Sequence, residues 1–76
     1  MIIYKQDVLK LLKSKGYNQT RLQRERLLTS KTLDALRHNE YISLKSLDTI
    51  CKLCRCDVSD IIQYEQDEFL NDYSAE

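Results

Sequence analysis

Proline is absent from these 76 residues, and glycine occurs once, at Gly16. So small a supply of turn-formers argues against a loop-rich or all-β chain and favours an all-α fold. No stretch of 18 apolar residues exists, so no membrane-spanning helix is expected. The opening Met1-Ile2-Ile3 meets Lys5 and Asp7 almost at once, which is too short an apolar run for an export signal. Three cysteines, an odd number, without such a signal point to reduced thiols in a cytoplasmic protein. The chain also lacks a glycine-rich phosphate cradle, and its one histidine, His38, has no Ser, Cys or carboxylate at a spacing that suggests a triad. Neither catalysis nor a cofactor is expected.

What is present suits one small domain. A chain of this length buries roughly 60–65% of its unfolded surface, so it depends on a well-shared core. Hydrophobic residues make up 42% and charged residues 32%, an ordinary balance for a soluble globular domain. The formal net charge of zero hides a division. Residues 1–62 hold all 12 Lys and Arg against 7 Asp and Glu, a net of +5. Residues 63–76 hold no base and five acids, Glu65, Asp67, Glu68, Asp72 and Glu76, a net of −5. A basic body with an acidic tail is compatible with nucleic-acid binding. It is equally compatible with a tail that serves only solubility.

Hydrophobic spacing divides the body into short helices. Tyr4, Val8, Leu11 and Leu12 fall at helical intervals and predict a first helix over about residues 5–15, ended by Gly16 in a left-handed conformation. Ile2 and Ile3 are expected either to pack on the core or to form the edge of a short strand. Asn18 is a good N-cap for a second helix over 19–26, and Thr29 for a third over 30–38. Asn39 is the residue type that follows glycine in preference for a left-handed stop. Ser43 caps a fourth helix whose Leu44, Leu47, Ile50, Cys51 and Cys54 form the clearest apolar stripe of the chain. Asp57 caps a fifth holding Val58, Ile61 and Ile62. In the tail, Phe69, Leu70 and Tyr73 can form an apolar strip.

The stretch from Asn18 to Asn39 organises the rest. Leu22, Leu27 and Leu28, then Leu33 and Leu36, supply a buried seam at helical spacing. Ser30, Lys31, Thr32, Asp34, Arg37 and His38 lie away from Leu33 and Leu36. A short helix presenting polar and basic side chains, braced by a preceding helix, is an element that a DNA major groove admits.

Gln19, Leu22, Leu28-Thr29, Thr32-Leu33, Leu36, Ser43-Leu44, Leu47, Ile50-Cys51 and Val58-Ser59-Asp60-Ile61 together resemble the lambda-repressor-like, Cro/XRE-type helix-turn-helix family, over about residues 4–64. The likeness is to its short single-domain bacterial and phage-like members. It implies a compact five-helix DNA-binding domain over 1–64 with the helix-turn-helix at 19–38, followed by an acidic tail over 65–76. It also implies a homodimer reading two half-sites of double-stranded DNA. Carried over by position, Gln19 would bond a backbone phosphate, and Ser30, Lys31 and Ala35 would sit against base edges. Thr32 and Asp34 would lie near the groove walls, Arg37, His38 and the segment Ser43 to Lys45 near the following phosphates, and Thr29, the N-cap of the third helix, counts among the DNA-binding positions. The chemistry agrees: Lys31 can donate to guanine, Ala35 can touch a thymine methyl, and Arg37 can clamp a phosphate. The family usually has glycine in the turn, where this chain has Leu27, and a small residue where Gln23 stands. A leucine forced left-handed costs about 1–2 kcal/mol, so the turn is expected to be built differently or to bury Leu27.

Other readings of the same residues carry less. Cys51, Cys54 and Cys56 with His38 could suggest zinc, which needs four converging ligands, but Cys51 and Cys54 fall on the apolar stripe and act there as small hydrophobes. Cys56, nearer the surface, is the candidate reactive thiol. Asp34 can accept from cytosine or pair with Lys31 or His38. Arg21, Arg24 and Arg26 are either a second phosphate strip or a solvated face. The sequence thus points to a DNA-binding transcriptional regulator, most simply a repressor, that needs no metal or cofactor. The alternative is a protein-interaction module on the same fold, an antitoxin or antirepressor acting through the acidic tail.

Overall fold

The computed structural model describes residues 1–66. The expectations placed on Phe69, Leu70, Tyr73 and the acids beyond Glu65 lie outside the described residues. In chain order the elements are strand β1 (Ile2–Tyr4), helices α1 (Val8–Ser14), α2 (Gln19–Arg24), α3 (Ser30–Arg37) and α4 (Leu44–Cys54), a single 3₁₀ turn (Val58–Asp60) and strand β2 (Ile62–Tyr64).

Each helix starts on a side-chain cap. Asn18, Thr29 and Ser43 accept the backbone N–H of Arg21, Thr32 and Ser46, as their residue types lead one to expect. Asp7 does the same for α1 with the N–H of Lys10, so that helix begins at Val8 instead of Lys5.

The four helices also share one kind of ending. Gly16 (φ 93°), Arg26 (55°), Asn39 (56°) and Arg55 (53°) are left-handed. In each case the next residue returns its N–H to a carbonyl five positions earlier: Tyr17 to Leu12 at 2.9 Å, Leu27 to Leu22 at 2.9 Å, Glu40 to Ala35 at 2.8 Å and Cys56 to Cys51 at 3.1 Å. This is the Schellman closure, in which the returning residue also makes an apolar contact. Tyr17, Leu27 and Cys56 make that contact, half-buried against the core. The left-handed position of the α2–α3 turn is therefore Arg26, not Leu27, and Leu27 packs.

Leu12, Leu22, Leu33, Ile50 and Ile61 are completely enclosed, joined by Val8, Leu28, Leu36, Leu47 and Cys54. Full burial of one such aliphatic chain contributes about 1.5–3 kcal/mol. Helix α1 packs against both α3 and α4, so the N-terminal helix braces the central pair. Leu44 departs from the expected stripe: at the first position of α4 it is 83% exposed. Burial raises the Cys51 and Cys54 thiols above their usual range, which keeps them protonated and suits packing better than ligation. Cys56 is half-buried. Among the described residues, no three His, Cys, Asp or Glu side chains are grouped to hold a metal.

The fifth helix is replaced by a turn and a strand. Asp57 and Asp60 form a reciprocal capping box, each carboxylate bonding backbone N–H at the other end of the Val58–Asp60 turn. Ile61 then drops into the core, and β2 leaves to pair antiparallel with β1, setting Ile2 opposite Tyr64, Ile3 opposite Gln63 and Tyr4 opposite Ile62. Two adjacent β-branched isoleucines favour this extended course. The domain is thus helical, with four α-helices among the described residues and a two-stranded clasp joining its ends. None of these helices is long and apolar enough to cross a membrane.

Candidate nucleic-acid interface

Helix α3 shows two faces. Leu33 and Leu36 are buried, while Ser30, Lys31, Asp34, Arg37 and His38 are exposed and Thr32 and Ala35 are half-buried. The periodicity of the sequence dictated this division.

The start of α3 is tied to the start of α4 by hydroxyls. Thr29 caps α3 and its Oγ1 donates to Thr32 Oγ1 at 3.0 Å. Thr32 Oγ1 lies 3.3 Å from Ser46 Oγ, and Ser43 Oγ, the α4 cap, donates to Ser46 Oγ at 3.0 Å. Both helix N-termini therefore open on one surface groove, which also takes in Gln23, Arg26 and Lys45. Gln23 Nε2 donates to Ser30 Oγ at 3.3 Å, so the long side chain at the helix–helix contact is turned to the rim and accommodated there.

The end of α3 is tied to the start of α2. Arg37 donates to Gln19 Oε1 from Nε at 3.1 Å and from Nη2 at 2.7 Å, and to Asp34 Oδ1 from Nη1 at 2.9 Å. With its oxygen occupied twice, the Gln19 amide presents its Nε2 donor as its remaining polar group. Asp34 pairs with Arg37, not with Lys31 or His38. His38 lies with Nδ1 2.8 Å from the Asp34 carbonyl oxygen, held against the last turn of the helix.

Of the arginines on α2, Arg21 is structural. It pairs with Glu25 at 2.7 Å, donates to the Gly16 carbonyl at 3.0 Å and stacks 4.5 Å above the Tyr17 ring. The Glu25 hydrogen bond is the main reason that its guanidinium holds its proton more tightly than usual. Arg24 remains largely exposed, and Arg26 occupies the left-handed stop.

The structure thus brings Thr29, Ser30, Thr32 and Lys45 to one groove and joins Gln19, Asp34 and Arg37 in one cluster, with Lys31 on the outer face of α3 between them. Sequence reasoning missed the hydroxyl chain and the Arg37–Gln19 clamp, since both cross between elements. The one available signal was that every residue in them can donate or accept near a helix end.

The family model for the Cro/C1-type HTH DNA-binding domain matches residues 8–67. No curated protein and no solved structure matches the chain. The matched span runs from the first residue of α1 past β2 and includes every element of the interface just described, so this chain belongs to the Cro/C1-type helix-turn-helix DNA-binding family.

Proposed function

We propose that the domain is a sequence-specific transcriptional regulator, a repressor acting in the cytoplasm, that lays α3 in the major groove of double-stranded DNA. The observation that carries this reading is the fixing of α3 at both ends while Ser30 and Lys31 stay exposed and Ala35 half-exposed on its outer side. Lys31 donates to guanine edges, and the Ala35 methyl meets a thymine methyl. Gln19 Nε2, the Thr29 segment and Lys45 beside the α4 N-terminus hold phosphates on either side, which fixes register without reading sequence. Thr32 and Asp34, engaged within the protein, position α3, and so does Arg37. His38 flanks the phosphate path. Residues 1–64 form the DNA-binding unit and 65–76 an appended tail. A homodimer would set two copies of α3 in successive major grooves, about 34 Å apart.

Selection from a random duplex library with the purified protein tests this directly. Recovery of a short palindrome supports a dimeric regulator and gives its half-site spacing. Enrichment that ignores sequence and vanishes with salt overturns the sequence-reading role of α3.

A further inference from the structure

The last turn of α4 gathers sulfur that the DNA-facing surface does not use. Cys51 stands one turn before the end of the helix, Cys54 ends it, and Cys56 follows the left-handed Arg55. The Schellman closure folds Cys56 back over Cys51. Its N–H bonds the Cys51 carbonyl at 3.1 Å, and these are the two positions whose side chains meet in that motif. Backbone lengths then hold their Cα atoms no more than about 7 Å apart. The usual bend at a carbonyl acceptor brings them closer, into the range that a disulfide spans without backbone movement. The side chains meet accordingly. The Cys56 thiol is the hydrogen-bond partner of the Cys51 thiol, and after burial its charge is the largest influence on the Cys51 proton. Cys56 also reaches Cys54, but there the hydrogen bond is the least of the influences. Burial separates the three as well: Cys54 is 3% exposed within the core, while Cys51 and Cys56 are half-buried at its edge.

We propose that Cys56 and Cys51 form a peroxide-sensitive modification site, in which Cys56 is oxidised first and Cys51 then closes an intramolecular disulfide across the Arg55 stop. The oxidant is a hydroperoxide, hydrogen peroxide in the simplest case. The Cys56 thiolate attacks one peroxide oxygen and the O–O bond breaks. The other oxygen leaves as hydroxide, which takes up a proton to become water, and Cys56 is left as a sulfenic acid. The Cys51 sulfur attacks the Cys56 sulfur, the S–O bond breaks, and the Cys51 proton departs with the hydroxyl as a second water. Two thiols thus lose two electrons and the peroxide gains them. Burial keeps the Cys51 thiol protonated, which makes it the poorer first nucleophile. Its attack on Cys56 needs less reactivity, because the two sulfurs are already neighbours. In a reducing compartment such a disulfide is transient and is reversed by thiol exchange. The site stands without any assumption about DNA.

Hydrogen peroxide treatment of the reduced full chain, followed by alkylation and tryptic mapping of the monomer, tests the site. Cleavage after Lys52 and Arg55 puts Cys51, Cys54 and Cys56 in three separate peptides, so the linkage is read directly. The Cys51–Cys56 link should form several-fold more than either link to Cys54, and dithiothreitol should remove it. In denaturing urea that preference should vanish, since the fold and not the spacing selects the pair. In the full chain carrying Cys51→Ser, with folding checked by far-UV circular dichroism, a dimedone label should accumulate on Cys56 several-fold above its level in the unmutated chain. A dominant link to Cys54, links between chains only, or a preference that persists in urea overturns the proposal. So do three thiols that all remain open to alkylation under peroxide that oxidises free cysteine.

Discussion

Arg37 grips Gln19 across the helix-turn-helix, two guanidinium nitrogens meeting one amide oxygen at 3.1 and 2.7 Å. The clamp joins the last turn of α3 to the first turn of α2, so it sets the angle of α3 while leaving the outer face of that helix free. Arg37→Ala should weaken specific DNA binding about tenfold or more while leaving the slope of affinity against salt nearly unchanged. Lys45→Ala should instead reduce that slope by about 1, the loss of one phosphate contact. With Arg37 and Asp34 43% and 64% exposed, solvent screens the pair, and the Arg37→Ala stability loss should stay below about 1 kcal/mol. Salt titrations of both variants on one operator separate the two roles.

The cap on α3 has a larger effect on stability. Thr29 satisfies an orphan N–H and begins the hydroxyl chain to Ser43. Thr29→Ala should cost about 1–2 kcal/mol, and Thr29→Ser, which keeps the oxygen, much less. Urea unfolding reads both.

The turn between α2 and α3 offers a test by sign. Arg26 carries the positive φ, so Arg26→Gly should stabilise the fold by about 0.5–1 kcal/mol through relief of left-handed strain, offset in part by the greater freedom of glycine when unfolded. Leu27→Gly should destabilise it, since Leu27 packs on the core. Opposite shifts of the urea midpoint confirm the placement, and the reverse pattern would return the strain to Leu27.

Two leucines that look alike in sequence should behave differently. Leu33 is fully enclosed while Leu44 is 83% exposed. Leu33→Ala should cost about 2–5 kcal/mol, and Leu44→Ser should stay within about 0.5 kcal/mol. Thermal melts of the two variants make the comparison.

Acid should act partly through Asp57. Hydrogen bonds from Ser59, side chain first and backbone next, hold its carboxyl below the ordinary value of 3.8. A group depressed by folding contributes stability that is complete above the unfolded value and is lost as pH falls through the folded one. The contribution therefore starts to fall as pH drops below about 4 and is gone only below the depressed folded value, and Asp57→Asn, which keeps a capping oxygen, should flatten that limb of an acid titration.

The helix starts were legible because caps are local: Asn18, Thr29, Ser43 and Asp57 each act within three residues. The stops were half legible. Gly16 and Asn39 advertise a left-handed conformation, but Arg26 and Arg55 do not; the returning N–H bonds of Leu27 and Cys56 and the packing of those two side chains hold them there. Residues 61–64 could not be told from helix by periodicity, since their strand partner lies at the opposite end of the chain. For the same reason the polar pattern exposed the outer face of α3, but the anchoring of that face by Arg37 on Gln19 was hidden, because it depends on the crossing of two helices.

The clasp of β1 on β2 also bears on the order of assembly. Met1 and Glu65 meet across 64 positions of chain, whereas every helix closes on contacts a few residues away. Closing so long a loop costs entropy before any contact rewards it, so the strand pair should form after the helices have gathered. In the folded protein it should be the first part to open, exposing the edge of β1 while the helix-turn-helix keeps its shape.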